Sequence, residues 1–150
     1  MSRLIQLCGL PGSGKSTWAA AHANGARVVT ADEIREGARP GREFLILWNR
    51  AKKELREGRD VIVDTCALRS IDRSQALGVG RQFNARCELV VFCTPVSLCR
   101  ARNSMRRAPA LVDWRRYAAH AASTMESIGF EGWDHVDYVP KRDPLAFVYR

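Results

Sequence analysis

The octapeptide GLPGSGKS at residues 9–16 constrains the fold of this chain more than any other segment. It follows an apolar run at residues 4–8 and precedes a helical stretch at residues 17–23. Glycines at positions 9, 12 and 14 allow the backbone to curl, so that successive amide N–H groups point inward, and a following helix adds the positive end of its dipole. The succession of strand, glycine-rich loop and helix predicts a loop that binds phosphate groups, and it disfavours a plain glycine turn.

Two side chains at the end of this loop are suited to nucleotide chemistry. Lys15 is expected to reach the β and γ phosphates of a nucleotide, and the Ser16 hydroxyl is expected to bind Mg²⁺. We therefore predict ATP, or another NTP, as the phosphoryl donor, with Mg²⁺. The predicted nucleotide-binding residues of the loop are Gly9, Pro11, Gly12, Ser13, Gly14, Lys15, Ser16 and Thr17.

Apolar runs of strand length recur along the chain, separated by segments of helix length. This alternation is typical of βαβ units, in which a parallel sheet is covered on both faces. We predict an α/β fold with a parallel sheet of about five strands and helices on both faces, in a single domain of residues 1–150. The predicted strands are residues 4–8, 27–30, 61–63, 89–93 and 136–139.

Apolar residues also recur at steps of three and four between positions 44 and 55, and Gly58 follows them. This spacing predicts an amphipathic helix with a glycine stop, and it favours a core position for Trp48 over a role as a base-stacking platform. The members of this stripe are Phe44, Leu47, Trp48, Ala51 and Leu55.

Thr94 followed by Pro95 predicts a helix start, with the threonine as N-cap and the proline as first helical residue. We expect this helix to run past Arg102 and Arg106 and to end at Pro109. A further apolar stripe predicts a last helix that packs on the sheet. Its members are Leu111, Trp114, Ala118, Ala121, Met125 and Ile128.

The chain carries 24 Lys and Arg against 16 Asp and Glu, a formal net charge of +8. Clustered cations favour an acidic partner such as nucleic acid, although an arginine-rich solvated surface is an equally open interpretation. The five cysteines include no CxxC pair, and no apolar run reaches the ~18 residues that a membrane helix requires. We therefore expect an unprocessed cytoplasmic protein without a membrane segment.

Asp64 directly follows the apolar run at residues 61–63. A carboxylate in this place would lie at the carboxyl edge of a parallel strand, where ligands bind in open α/β sheets. This position predicts that Asp64 orders the Mg²⁺ shell or holds Ser16. The alternative is an aspartate that only caps a helix or a loop.

Asp32 and Arg35 are three residues apart after the second predicted strand, and they share a face if a helix begins there. The carboxylate could accept a proton from an attacking hydroxyl while the guanidinium holds an anionic group of the same substrate. The alternative is a helix-terminal aspartate paired with a surface arginine. We place Asp32, Arg35 and Asp64 in the predicted substrate-binding set.

Arg102 and Arg106 are four residues apart, so a helix would project both from one face toward the phosphate loop. Charge spread over a transferring phosphoryl group calls for such cations. These arginines are expected to form a helical lid.

Four segments together resemble the 5′-kinase domain of the phage-type polynucleotide kinase-phosphatase family, within the P-loop kinases. They are GLPGSGKSTW at 9–18, the D-x-x-R of Asp32 and Arg35, VDT at 63–65 and RNSMRRAP at 102–109. The resemblance implies that Asp32 is the general base for a 5′ hydroxyl and that Arg35 holds the phosphate of the substrate. It also implies that Arg106 contacts the donor phosphates and that Arg102 lies near the adenine. No DxDGT nucleophile motif occurs in the sequence, so no phosphatase domain is expected.

The sequence thus predicts a kinase that moves the γ-phosphoryl group of ATP to a 5′-hydroxyl end of DNA or RNA. Lys15, Asp32 and Arg106 are its predicted catalytic residues. Two alternatives stay open. The first is a kinase of a hydroxymethylated base in DNA, a small nucleoside or a metabolite, and the second is an NTP-dependent binding switch.

Overall fold

The computed structural model describes residues 1–35, 37, 39, 41–106, 114, 117 and 126–140. In this part of the chain, five strands form one sheet in the order β2-β3-β1-β4-β5, and every neighbouring pair is parallel. The strands are β1 (Arg3–Cys8), β2 (Arg27–Thr30), β3 (Val61–Asp64), β4 (Arg86–Phe92) and β5 (His135–Val139). The helices are α1 (Lys15–His22), α2 (Ala31–Arg35), α3 (Glu43–Arg56), α4 (Ser70–Gln82) and α5 (Val96–Ser104), with a 3₁₀ helix at Ile128–Phe130.

The prediction of a parallel sheet covered on both faces is confirmed. Leu4, Val61 and Val63 pack on one face, in a cluster with buried side chains of α3 and α4. Ile5 and Ile62 point to the other face and pack with α1. Because successive side chains of a strand alternate between faces, strands that are buried on both sides are apolar at nearly every position.

Helix α3 buries most of its predicted apolar stripe but not its first member. Leu47, Trp48, Ala51 and Leu55 are at most 6% exposed, whereas Phe44 is 46% exposed. Trp48 lies in the core as predicted, whereas Phe44 is not part of the buried face. Helix α3 packs against β2 and β3, and Phe44 stands in its first turn, at the end of the helix that lies toward the cavity rather than over the sheet.

The predicted helix after β4 differs from the structure at both ends. Pro95 is the cap residue and the helix begins at Val96, without a side-chain cap, because the Thr94 hydroxyl donates to the Ser13 carbonyl at 2.8 Å. The helix ends at Ser104, where Arg106 N–H bonds to the carbonyl three residues back in a tightened last turn. Arg106 thus follows α5 instead of lying on it, and the predicted stop at Pro109 falls outside the described residues.

Most of the predicted last helix also lies outside the described residues. Trp114 and Tyr117 pack against buried Leu10 and Cys99. Ile128 is buried against β4 as expected, but it belongs to the 3₁₀ helix. No helix among the residues described is long and apolar enough to cross a membrane.

Candidate active site

The glycine-rich loop joins the end of β1 to the start of α1 at the carboxyl edge of the sheet. Gly12 and Gly14 have φ values of 82° and 99°, a region that side chains disfavour. At Gly12 space is also absent, because a Cβ atom there would lie 2.5 Å from the carbonyl oxygen of Cys99. Helix α5 therefore packs directly on the loop, and only glycine fits at the contact.

Lys15 is buried at the start of α1, with 7% of its surface exposed. Its ammonium donates to the carbonyl oxygens of Gly9 and Leu10 at 3.0 and 2.9 Å. These bonds hold the cation against the loop that precedes its own helix. A fixed cation beside inward amide groups is suited to phosphate oxygens.

Ser16 and Asp64 are in direct contact. The Ser16 hydroxyl donates to Asp64 Oδ2 at 2.7 Å, and the aspartate is 6% exposed at the end of β3. Asp64 therefore holds Ser16, one of the two predicted arrangements, and it is not merely a loop cap. The two side chains supply hard oxygen donors of the kind that Mg²⁺ prefers.

One cavity of about 1200 Å³ lies above the loop. With the exception of Gly9, every predicted site residue lines it: Pro11, Gly12, Ser13, Gly14, Lys15, Ser16, Thr17, Asp32, Arg35, Asp64, Arg102 and Arg106. Gly9 lies beneath the cavity, where its N–H donates to Cys66 and a Cβ atom would come within 2.9 Å of Phe92 Cβ. Gly9 therefore has a packing role rather than a place in the cavity lining.

Asp32 and Arg35 form an ion pair on the short helix α2. Arg35 Nη1 donates to Asp32 Oδ1 at 3.1 Å, and Arg35 Nε lies 3.9 Å from Glu43 Oε1 at the start of α3. The side chains of Asp32 and Arg35 are 40% and 30% exposed, so both are accessible from the cavity. Asp32 and Arg35 therefore pair with each other and also line the cavity.

The two predicted lid arginines reach the cavity from different elements. Arg102 lies on α5 and donates from Nη1 to the Gly12 carbonyl at 3.3 Å. Arg106 follows the end of α5 and is partly buried. The prediction that one helical face carries both is wrong, although both line the same cavity.

A buried ion pair beside the cavity was missed in the sequence. Arg73 on α4 is 1% exposed and donates through Nε and Nη2 to the Glu131 carboxylate, at 3.0 and 2.8 Å. Its Nη1 donates to the carbonyls of Ala67 and Leu68, which belong to the cavity wall after β3. Arg73 shares the buried face of α4 with Ala76. The spacing of three residues between Arg73 and Ala76 is the one sequence signal that distinguishes Arg73 from a surface arginine.

Burial raises the pKa of two thiols close to this wall. The pKa of Cys8 rises to about 12, since desolvation outweighs the nearby cations Arg73 and Lys15. Burial likewise raises the pKa of Cys66, which lines the cavity. Both side chains are therefore neutral thiols at neutral pH, and neither is an activated nucleophile.

The sheet order, the phosphate loop after β1 and the carboxylate that ends β3 define the fold of a P-loop kinase. The chain belongs to the family whose model, described as an AAA domain, matches residues 4–125. No curated protein matches the chain.

Several solved structures share this fold. The Mycobacterium tuberculosis APS kinase CysC, in complex with AMPPNP and APS, is 18% identical with a TM-score of 0.59, and the match covers 95% of this chain and 91% of that one. A fungal RNA kinase is 13% identical with a TM-score of 0.65, covering 92% of this chain and 38% of that one. A chain of the Pnkp1/Rnl/Hen1 complex is 20% identical with a TM-score of 0.59, and the match covers 75% of this chain and 44% of that one. At these identities the likeness shows the fold alone.

Proposed function

We propose that the protein is an ATP-dependent kinase that transfers the γ-phosphoryl group to the 5′-hydroxyl end of a polynucleotide. One observation carries this proposal: the phosphate loop, the Asp32–Arg35 pair and two further arginines line one cavity. A nucleotide-binding switch needs the loop alone. The additional carboxylate and cations are what an acceptor site and a charged transition state require.

The donor end of the cavity contains the loop, Lys15 and the Ser16–Asp64 pair. The loop amides and the Lys15 ammonium bind the β and γ phosphates, and Ser16 with Asp64 would hold Mg²⁺. When bound, that cation would neutralise negative charge on the donor phosphates. The role of the protein at this end is to fix the γ phosphorus in line with an attacking oxygen.

The acceptor end contains Asp32 and Arg35. Asp32 takes the proton of the attacking acceptor hydroxyl, and the hydroxyl oxygen forms a bond to the γ phosphorus. The bond between the γ phosphorus and the bridging β–γ oxygen breaks at the same time, so that ADP leaves. The bond from Arg35 to Asp32 Oδ1 orients the carboxylate for this step. Arg35 remains partly exposed and able to bind the phosphate that follows the reactive nucleotide.

Arg102 and Arg106 complete the site from the other side of the loop. Because the transferring group spreads its charge over three oxygens, the cations that face it stabilise the transition state more than the ground state. We assign this role to Arg106. Arg102, which bonds to the loop carbonyl of Gly12, is assigned to the donor nucleotide.

A small nucleotide or metabolite is the second candidate acceptor, favoured by the match over 91% of the M. tuberculosis APS kinase chain against 38% of the fungal RNA kinase chain. The formal charge of +8 favours the polynucleotide. The candidates differ in salt dependence, since each neutralised phosphate contributes about one unit to the log–log slope of affinity against salt.

The test is transfer of labelled γ-phosphate to 5′-hydroxyl oligonucleotides, to oligonucleotides with hydroxymethylated bases and to free nucleosides, with Lys15→Ala as the inactive control. We expect label on the 5′ ends, with a KM that rises steeply with salt. Label confined to nucleosides or to hydroxymethylated bases would overturn the 5′-end assignment. Hydrolysis of ATP without label on any acceptor would favour the switch.

A further inference from the structure

The first turn of α3 places an exposed aromatic ring in the wall of the cavity. Phe44 is 46% exposed and lines the cavity, although it belongs by spacing to an apolar stripe whose other members are buried. The next residue, Leu45, is also exposed but is not part of the cavity wall. Exposure of a phenylalanine inside a cavity, rather than on the outer surface, indicates a ligand with an apolar face.

The ring lies at the acceptor end of the cavity. Glu43, the residue before it, is 3.9 Å from Arg35, and α3 is in contact with α2, which carries Asp32. Other aromatic side chains line the cavity away from α2: Trp18 on α1 contacts Phe92 edge to face, and Tyr117 packs against Leu10 and Cys99. Phe44 therefore serves the group that is brought to Asp32.

We propose that Phe44 is a stacking platform for the base of the reactive acceptor nucleotide, so that the site recognises a hydroxyl with a nucleobase beside it. The proposal rests on the proposed function and adds to it the part of the acceptor that is bound. Stacking on an aromatic ring is tolerant of base identity, because every base presents a π face. Arg35 then holds the phosphate on one side of the reactive sugar and Phe44 holds the base on the other, which fixes the hydroxyl against Asp32.

The experiment compares two oligonucleotides with the same phosphates. One has an ordinary 5′-terminal nucleotide, and the other has a 5′-terminal tetrahydrofuran abasic residue. We expect the wild type to use the abasic acceptor with a kcat/KM about 5- to 150-fold lower, the range that follows from removal of one base–aromatic stack. Phe44→Ala should show the same loss on the ordinary acceptor and no further loss on the abasic one. Phe44→Trp should restore discrimination.

Leu45→Ala is the matched control, because it removes a neighbouring exposed side chain of the same helical turn and should leave both acceptors unchanged. Thermal unfolding of each variant confirms that α3 is intact. Equal losses of Phe44→Ala on both acceptors would overturn the proposal, since the ring would then act through the fold.

The proposed function can fail separately. If only nucleosides are labelled, the polynucleotide assignment fails, and the same variants are compared on a nucleoside and on 1,4-anhydroribitol, which lacks the base. Equal discrimination by wild type and Phe44→Ala on that pair would overturn the stacking role, and loss of discrimination in the variant would support it. Absence of label on every acceptor would overturn both.

Discussion

Replacement of Arg73 by methionine tests how much of the stability depends on one buried ion pair. The guanidinium is 1% exposed and bonds to Glu131, whose side chain is 11% exposed, and to two carbonyls of the cavity wall. Arg73→Met keeps much of the side-chain volume but leaves a buried carboxylate without its cation. Loss of one partner of a buried pair costs about 3 to 5 kcal/mol, a large part of the roughly 5 to 15 kcal/mol that stabilises a typical domain.

The matched control is Arg81→Met on the same helix. Arg81 also joins α4 to the segment after the 3₁₀ helix, through Asp134 at 2.7 Å, but its side chain is 48% exposed. An exposed pair contributes about 0 to 1 kcal/mol. Urea unfolding, followed by tryptophan fluorescence at pH 7, gives both free energies of unfolding. A loss for Arg73→Met no larger than that for Arg81→Met would refute the reasoning.

The same pair predicts the direction of a pH dependence. Burial alone would raise the pKa of Glu131, but hydrogen bonds from Arg73, Trp133 and Ser127 outweigh it and hold the pKa below its ordinary value. A depressed folded-state pKa contributes stability that is present above the unfolded value, about 4.3, and is lost as pH falls through the folded value. The difference in unfolding free energy between wild type and Arg73→Met should therefore shrink below about pH 4. A difference independent of pH would show that Glu131 is not the source of the loss.

Four further outcomes are expected. Lys15→Ala should abolish phosphoryl transfer in the labelled-ATP assay, because the buried Lys15 ammonium is held against the loop where charge develops on the transferring group; activity within a few-fold of wild type would contradict the site assignment. Asp32→Asn should lower kcat about 10² to 10⁴-fold with little change in acceptor affinity, as loss of a general base does, and an unchanged kcat in steady-state kinetics would contradict that role. Arg106→Ala should lower kcat more than it raises the acceptor KM, and the reverse pattern would mark it as a binding surface. Gly80→Ala should destabilise the fold by about 1 to 3 kcal/mol in urea, because its Cβ would overlap the buried sulfur of Cys87, whereas Gly78→Ala, with open space around it, should be neutral or stabilising.

The sheet and the phosphate loop could be predicted because local chemistry determines them. Strands buried on both faces are continuous apolar runs, and the loop combines glycines, a lysine and a serine at a spacing that phosphate binding requires. The position of Asp64 directly after such a run was enough to predict its contact with Ser16. The fold class was thus readable before any contact was known.

The errors arose where long-range contacts override local pattern. Threonine is a favoured N-cap residue, but the Thr94 hydroxyl donates to the carbonyl of Ser13, 81 residues away in sequence. Phe44 has the spacing of the buried stripe of α3, but it lies beyond the sheet and is exposed. Arg73 resembles a surface arginine because Glu131, which justifies its burial, is 58 residues distant. These contacts join residues that are far apart in sequence, and the only local signal is the spacing of Arg73 and Ala76 on the buried face of α4.

The close approach of Cys99 to Gly12 has a mechanical consequence. Helix α5 packs directly against the phosphate loop at Gly12. The Thr94 hydroxyl and the Arg102 guanidinium add hydrogen bonds to the loop carbonyls of Ser13 and Gly12. These contacts join α5 to the phosphate loop over the length of the first two helical turns, so a change in the position of one alters the position of the other. The position of Arg102 is therefore tied to that of the loop, whereas Arg106 lies one residue beyond the helix cap, outside these contacts.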